Sequence, residues 1–173
     1  MKSIISVPRQ PELLRHRSRR GLLALAGFGL VTATSAGLVG CGSPPKPVTS
    51  QIQLSISSTA DLNPDTRNRP SPVSVRIYGL KAAAAFEAAD FFSLFEKDTA
   101  TLGADIVRRE DLLLRPGETK TLELSLPADA KVLAVLVAYR DLERARWRVV
   151  RAIEVGKPAT LKVQLAARQV VVE

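Results

Sequence analysis

The sequence predicts a mainly β protein, an antiparallel β-sandwich of seven to eight strands with a small helical insertion. Apolar and polar residues alternate with a period of two through most of the chain after residue 50, as in strands with one buried face. The alternating segments are short and are separated by turn-forming residues. One stretch rich in alanine and phenylalanine interrupts the alternation and indicates helices.

Eight segments carry the strand pattern. The pair Pro116-Gly117, between the third and the fourth segment, predicts a hairpin there. The fifth segment is nearly all apolar, which predicts a central strand covered on both faces. The last segment is short and predicts an edge strand. The predicted strands are residues 51–58, 71–78, 112–114, 119–126, 131–139, 147–155, 160–165 and 169–172.

The predicted helical insertion covers about residues 81–102. Residues 82–89 are mostly helix formers, and Asp90 is placed to cap a second short helix. Phe91, Phe92 and Phe95 are close together on that helix. They predict a hydrophobic patch that docks the insertion on the sandwich, and a ligand pocket is the alternative.

The single cysteine, Cys41, ends the run Leu38-Val39-Gly40-Cys41 after an uncharged, mostly apolar segment. This is the pattern of a bacterial lipobox, in which the thiol takes a diacylglyceryl group and the small glycine lets the peptidase reach the bond. A basic stretch precedes the apolar segment, as in a secretory signal, and a transmembrane helix is the alternative. The expected organisation is a signal peptide (1–40), a lipidated cysteine with a proline-rich tether (41–50) and a sandwich domain (51–173).

Cleavage before Cys41 changes the charge and the chemistry of the chain. Six of the 25 basic and one of the 17 acidic residues lie in residues 1–40, so the net charge falls from +8 to +3 and gives no support for nucleic-acid binding. His16, the only histidine, lies there too. The mature chain therefore has no Cys/His metal site, no catalytic triad and no disulfide, and we expect no cofactor. Glu110, Asp111 and Glu143 lie among arginines and are interpreted as solvated charge.

The segment between the first two predicted strands, residues 60–70, is long, polar and charged in both signs. Long loops on rigid sandwiches often carry binding residues. A mobile, solvated loop is the alternative, and composition favours neither.

Several motifs of the mature chain occur together. They are Asn63-Pro64-Asp65, Arg69-Pro70-Ser71-Pro72-Val73, Phe86, Ala89-Asp90-Phe91-Phe92, Arg115-Pro116-Gly117-Glu118, Val137-Ala138-Tyr139-Arg140-Asp141 and Trp147-Arg148. The combination resembles the TssJ family, the outer-membrane lipoproteins of type VI secretion systems. The most specific parts are the proline-spaced approach to the second strand and the Ala-Asp-Phe-Phe start of the second helix.

The resemblance implies a transthyretin-like sandwich whose loop between the first two strands binds the periplasmic C-terminal region of TssM. TssM spans the inner membrane with TssL, so TssL is an indirect partner. The role is architectural, and no enzyme activity is expected. Carried onto this chain, the expected contacts in residues 60–70 are Asp61, Asn63, Asp65, Arg67, Asn68 and Arg69.

Gly42-Ser43 follow the cysteine in place of an aspartate that would retain a lipoprotein in the inner membrane. They predict an outer-membrane, periplasmic location, with acyl chains on Cys41 as the anchor. Export by the Sec or the twin-arginine route stays open, because Arg19-Arg20 precede the apolar stretch.

Two other functions remain as alternatives. One is an outer-membrane lipoprotein that binds a soluble ligand or inhibits a lytic enzyme. The other is a histidine-free glycan-active enzyme, which requires two carboxylates facing each other in a cleft.

Cys41→Ser removes the thiol that would carry the lipid, so we expect an unprocessed, unlipidated precursor. Metabolic labelling with a radioactive fatty acid, followed by mass spectrometry of the membrane fraction, measures this. Ser43→Ala is the control and should leave labelling intact. Normal labelling of the Cys41→Ser chain would contradict the lipobox assignment.

Overall fold

Residues 47–173, the part of the chain that the computed structural model describes, form two four-stranded sheets around a shared core. Two helices, α1 (Ala84–Ala88) and α2 (Phe91–Leu102), lie between the second and the third strand. The predicted β-sandwich with a helical insertion is confirmed. The strands are β1 (Thr49–Ser58), β2 (Val73–Leu80), β3 (Ile106–Leu114), β4 (Thr119–Pro127), β5 (Val132–Val137), β6 (Arg148–Ala152), β7 (Ala159–Leu165) and β8 (Val170–Val172).

The strand order is β4-β1-β7-β8 in sheet 1 and β3-β2-β5-β6 in sheet 2. The core between the sheets follows the alternation of the sequence, because Ile52, Leu54 and Ile56 of β1 are at most 1% exposed while their neighbours face outwards. Burying side chains of this size stabilises the fold by about 1.5–3 kcal/mol each. The sheets approach closely at Gly79, where a Cβ would lie 2.8 Å from a Leu126 methyl group.

One strand pairing differs from the antiparallel expectation. β1 pairs antiparallel with β4 but parallel with β7, from Ile52 beside Ala159 to Ser58 beside Leu165. The chain leaves β1 for sheet 2, so the second neighbour of β1 comes from much later in the sequence. A parallel pair needs such a long connection. As a result, β1 lies in the interior of sheet 1 with a hydrogen-bonded strand on each side.

The predicted hairpin at residues 115–118 is wrong. β3 pairs with β2 in sheet 2, whereas β4 pairs with β1 in sheet 1. The turn itself is present, with Gly117 at a φ of 72° that suits glycine, but it carries the chain from one sheet to the other. Leu114 and Leu124 therefore enter the same core from opposite sheets. Turn residues specify a change of direction, and distant strands decide the pairing.

The helical insertion covers the outer face of sheet 2, so β5 is buried on both faces as predicted. The Asp90 carboxylate accepts the Ser93 N–H at 3.0 Å and caps α2, as the sequence predicts. Phe91 is buried and stacks on Phe95 with ring centroids 5.3 Å apart. Phe92 is 60% exposed, so the predicted docking patch does not include it. No helix within residues 47–173 is long and apolar enough to cross a membrane.

A buried ionic network fastens α2 to sheet 2. Arg76 of β2, 8% exposed, donates to the Asp111 carboxylate at 2.7 Å. Asp98 of α2, 6% exposed, accepts from the Tyr78 hydroxyl at 3.0 Å and from the Arg109 guanidinium at 2.8 Å. Burial raises the pKa of Tyr78 to about 12, so its hydroxyl keeps the proton that it donates.

The interpretation of Asp111 as solvated charge is therefore wrong in part, because its carboxylate balances a buried arginine. The charged run around it belongs to β3, which begins at Ile106, earlier than predicted. The alternate residues Arg108 and Glu110 pair with each other at the surface. An edge strand can carry such charges because one side of it faces water.

Asp98→Ala would remove the buried carboxylate that accepts from the Tyr78 hydroxyl and lies 3.5 Å from the Arg76 guanidinium, whereas Asp111 would still pair with Arg76. The buried Tyr78 hydroxyl would lose its acceptor, and a buried polar group left unsatisfied costs about 1–3 kcal/mol, so we expect the free energy of unfolding to fall by about that amount. Glu110→Ala is the matched control, since its partner Arg108 is 52% exposed and such pairs contribute at most about 1 kcal/mol. Urea unfolding followed by circular dichroism measures both, and equal losses would contradict the role given to the network.

Candidate functional site

Three loops meet at one end of the sandwich, which we call the loop end. The Thr59 N–H donates to the Leu165 carbonyl at 2.9 Å, and the Asn63 N–H donates to the Ala167 carbonyl at 3.1 Å. The Arg140 N–H reaches the Asn63 Oδ1 at 2.8 Å. These bonds join the β1–β2 loop (residues 59–72), the β5–β6 loop (138–147) and the β7–β8 loop (166–169).

The described part of the chain begins with residue 47 at the opposite end of the sandwich, which we call the tether end. β1 begins there at Thr49 and reaches the loop end at Ser58. Val48 lies beside Gly156 of the β6–β7 connection at the same end. A ten-residue strand spans about 33 Å, so Thr49 and the three loops are separated by the full height of the sheet.

Leu62 and Asn63 attach the β1–β2 loop to the body of the domain. Leu62 is fully buried in the core, and Asn63 is 3% exposed. The Asn63 amide donates to the Pro72 carbonyl at 3.0 Å and accepts the Arg140 N–H. Asn63 has a φ of 47°, a left-handed conformation that asparagine tolerates better than most residues. Its side chain thus determines the path of the loop.

The outer part of the loop is organised around the Asp65 carboxylate. Asp65 Oδ1 accepts the backbone N–H of Arg67 at 2.8 Å and of Arg69 at 3.0 Å. The Arg69 guanidinium pairs with Asp65 Oδ2 at 2.7 Å. These hydrogen bonds, with those from Arg69 largest, lower the pKa of Asp65 from 3.8 to about 2. Asn68 turns the chain with a φ of 60°. The loop therefore has a defined shape, held by its own side chains.

The predicted contact residues have different environments in this loop. Asp61, Arg67, Asn68 and Arg69 are exposed. Asp65 is partly buried and occupied by hydrogen bonds within the loop, and Asn63 is buried. The four exposed residues can contact another molecule directly, whereas Asn63 and Asp65 determine the shape of the loop that carries them. Cys41, the predicted lipidation site, lies outside the described residues.

A polar cleft of about 610 Å³ separates the β1–β2 loop from its two neighbours. Its far wall carries charged residues that the sequence did not single out as a site, although Arg140 and Asp141 belong to a family motif. The only local sign of them is the concentration of charge in residues 140–146. The lining residues are Pro64, Asp65, Thr66, Asn68, Arg140, Asp141, Arg144 and Arg168.

Both carboxylates of the cleft are paired with arginines. Asp65 contacts Arg69 at 2.7 Å, and Asp141 contacts Arg168 at 3.0 Å. Glycoside hydrolysis requires a carboxylic acid and a free carboxylate facing each other, and this arrangement supplies neither. No cluster of His, Cys, Asp or Glu within residues 47–173 is arranged to hold a metal ion. The groups that line the cleft can make ionic contacts and hydrogen bonds.

The model of the family described as type VI secretion lipoprotein, VasD, EvfM, TssJ, VC_A0113, matches residues 50–168. The crystal structure of the lipoprotein TssJ1 from Pseudomonas aeruginosa is 33% identical over 72% of this chain and 95% of that chain, with a TM-score of 0.71. No curated protein matches the chain.

Two further structures share the fold. The Lip protein of Serratia marcescens is 23% identical over 73% of this chain and 97% of its own, with a TM-score of 0.68. A chain in a structure described as the TssM C-terminal domain (869-1107) from EAEC is 25% identical over 71% of this chain and 97% of its own, with a TM-score of 0.62. These coverages make that matched chain about half as long as the TssM range 869–1107.

The hydrogen bonds to Asp65 predict a pH dependence of the loop. Because the pKa is lowered from 3.8 to about 2, the stabilisation is complete above about pH 4 and is lost as the pH falls towards 2. Hydrogen exchange of the Arg67 and Arg69 amides, followed by NMR, should show this. Asp65→Asn should speed their exchange at neutral pH, whereas Asp61→Asn, the control in the same loop, should not. Unchanged exchange in Asp65→Asn would contradict the assigned role.

Proposed function

We propose that this protein links the outer membrane to TssM. The chain belongs to the type VI secretion lipoprotein family that includes TssJ. In this role, acyl chains on Cys41 hold the protein in the outer membrane. The β1–β2 loop binds the periplasmic C-terminal region of TssM, and TssL is reached through TssM. The link is architectural and requires no catalytic group.

The separation of the two ends carries this proposal. The tether joins at Thr49, and the shaped loop lies beyond Ser58 at the other end of the same strand. A lipid anchor at the tether end therefore directs the loop away from the bilayer, into the periplasm. This placement suits a protein that connects a membrane to a periplasmic partner.

The size of a matched chain supports TssM as the partner. The chain that matches in the structure described for the TssM C-terminal domain is about as long as the P. aeruginosa TssJ1 chain. It is too short to be the whole TssM range. This fits a structure in which a chain of the TssJ fold accompanies TssM.

The sequence around Cys41 supports the outer membrane as the location. Gly42-Ser43 follow the cysteine, and Pro44-Pro45-Lys46-Pro47 favours an extended tether that spaces the domain from the bilayer. Stable anchoring takes two lipid signals, which a thioether-linked diacylglyceryl group with an acylated amine would exceed.

Replacing residues 64–69 by a Gly/Ser segment of equal length should weaken TssM binding at least tenfold, or about 1.4 kcal/mol. The replacement keeps the buried Leu62 and Asn63, so the sandwich and the base of the loop are preserved. The measurement is calorimetric titration of the periplasmic TssM fragment into full-length lipoprotein in detergent, with circular dichroism to check folding.

The matched control changes the tether end instead. Glu154, Val155 and Lys157 are exposed there, and replacing all three by serine should leave TssM binding unchanged. Equal affinity of the loop-replaced and the unaltered protein would move the binding site away from the loop. Absence of binding by the unaltered protein would favour a soluble ligand or a lytic enzyme as the partner.

A further inference from the structure

The cleft at the loop end carries an excess of positive charge. Arg140, Arg144 and Arg168 line it together with Asp65 and Asp141. Asp65, however, is already balanced by Arg69, which does not line the cleft. Asp141 alone therefore faces three arginines, and the net charge that a ligand in the cleft meets is positive.

Two of these arginines have free hydrogen-bonding capacity. Arg140 donates its Nε to the Ser71 hydroxyl at 3.0 Å and makes no ion pair within residues 47–173. The Arg144 side chain is 79% exposed and lies 3.8 Å from Asp141, at the long limit of an ion pair. Arg168 is more firmly held, because its Nε donates to Asp141 at 3.0 Å. A guanidinium offers five N–H donors, so Arg140 and Arg144 retain several each.

We propose that this cleft accepts an acidic side chain of the bound partner, with Arg140 and Arg144 as the groups that hold its carboxylate. The inference rests on the proposed function and adds the chemistry of the TssM segment, which must present aspartate or glutamate to the loop end. Guanidinium groups bind carboxylates with paired, directional hydrogen bonds. The polar wall of Thr66 and Asn68 completes the cleft.

The position of the cleft favours a protein carboxylate over a lipid phosphate. The cleft lies between loops at the loop end, whereas the chain enters the domain at Thr49 at the tether end. The outer-membrane surface would therefore lie on the far side of the sandwich. A partner that approaches from the periplasm meets the arginines first, and their field speeds association in a salt-dependent way.

The test is Arg144→Glu in the full-length lipoprotein, titrated with the periplasmic fragment of TssM. Binding should weaken at least tenfold, and its dependence on salt between about 50 and 300 mM should become smaller, since screening acts on this attraction. Arg151→Glu is the matched control. Arg151 is exposed in β6, beside Leu133 near the tether end, and it makes no ion pair within the described residues. It should bind like the unaltered protein.

Each outcome separates this inference from the proposed function. If the unaltered protein binds TssM and Arg144→Glu binds equally well, the carboxylate site is wrong and the loop proposal stands. If both glutamate variants weaken binding equally, overall charge is the cause and the cleft is not a site. If the unaltered protein does not bind TssM, both proposals fail. A second titration uses phosphatidylglycerol vesicles. If Arg144→Glu weakens vesicle binding and leaves TssM binding unchanged, the cleft binds a lipid headgroup and the carboxylate proposal is wrong.

Discussion

The side chain of Asn63 makes the hydrogen bonds on which the geometry of the loop end depends. Its amide donates to Pro72 within the β1–β2 loop and accepts the Arg140 N–H from a loop 77 residues away. A buried amide left without partners costs about 1–3 kcal/mol, so the two loops hold each other in place. With the neighbouring Leu62 in the core, this contact gives both the loop tip and the arginine-lined cleft a defined geometry.

The position of β1 suits a protein that is loaded between two ends. β1 begins at the tether end, ends at the loop end, and has β4 and β7 as hydrogen-bonded neighbours. A force applied between Thr49 and the β1–β2 loop would act along the strand axis. Such a force would have to break the hydrogen bonds of β1 with β4 and with β7 together, in shear, instead of one at a time. The parallel pairing with β7, absent from the sequence-based expectation, supplies the second of these rows.

The helical insertion packs on the outer face of sheet 2 and against the β5–β6 loop, where the Phe91 and Trp147 ring centroids are 5.4 Å apart. It is held on the outer face of sheet 2 by the phenylalanine cluster and by the network of Arg76, Asp98 and Asp111. Buried ions contribute less to stability than their contacts suggest, because their desolvation offsets the attraction. The buried ions do specify the position of α2, because Asp98 can accept hydrogen bonds from Tyr78 and Arg109 only when α2 lies in this position. The insertion thus covers an apolar sheet face that would otherwise be exposed.

Local patterns in the sequence determined the two helices, the Asp90 cap and the strands, except that the mostly charged residues 106–111 of β3 were not predicted to be strand. These features depend on residues within a few positions of one another, and periodicity reports which face of an element is buried. Only the tertiary structure decided the sheet to which each strand belongs, so the turn at Pro116-Gly117 crosses between sheets and is not a hairpin. The same dependence on distant segments explains why the sequence predicted only part of the candidate site. The length and charge of the β1–β2 loop located it in the sequence. The burial of Asn63 and the cleft with Arg144 and Arg168 depend on segments that are distant in sequence, and no local pattern predicts that these segments meet.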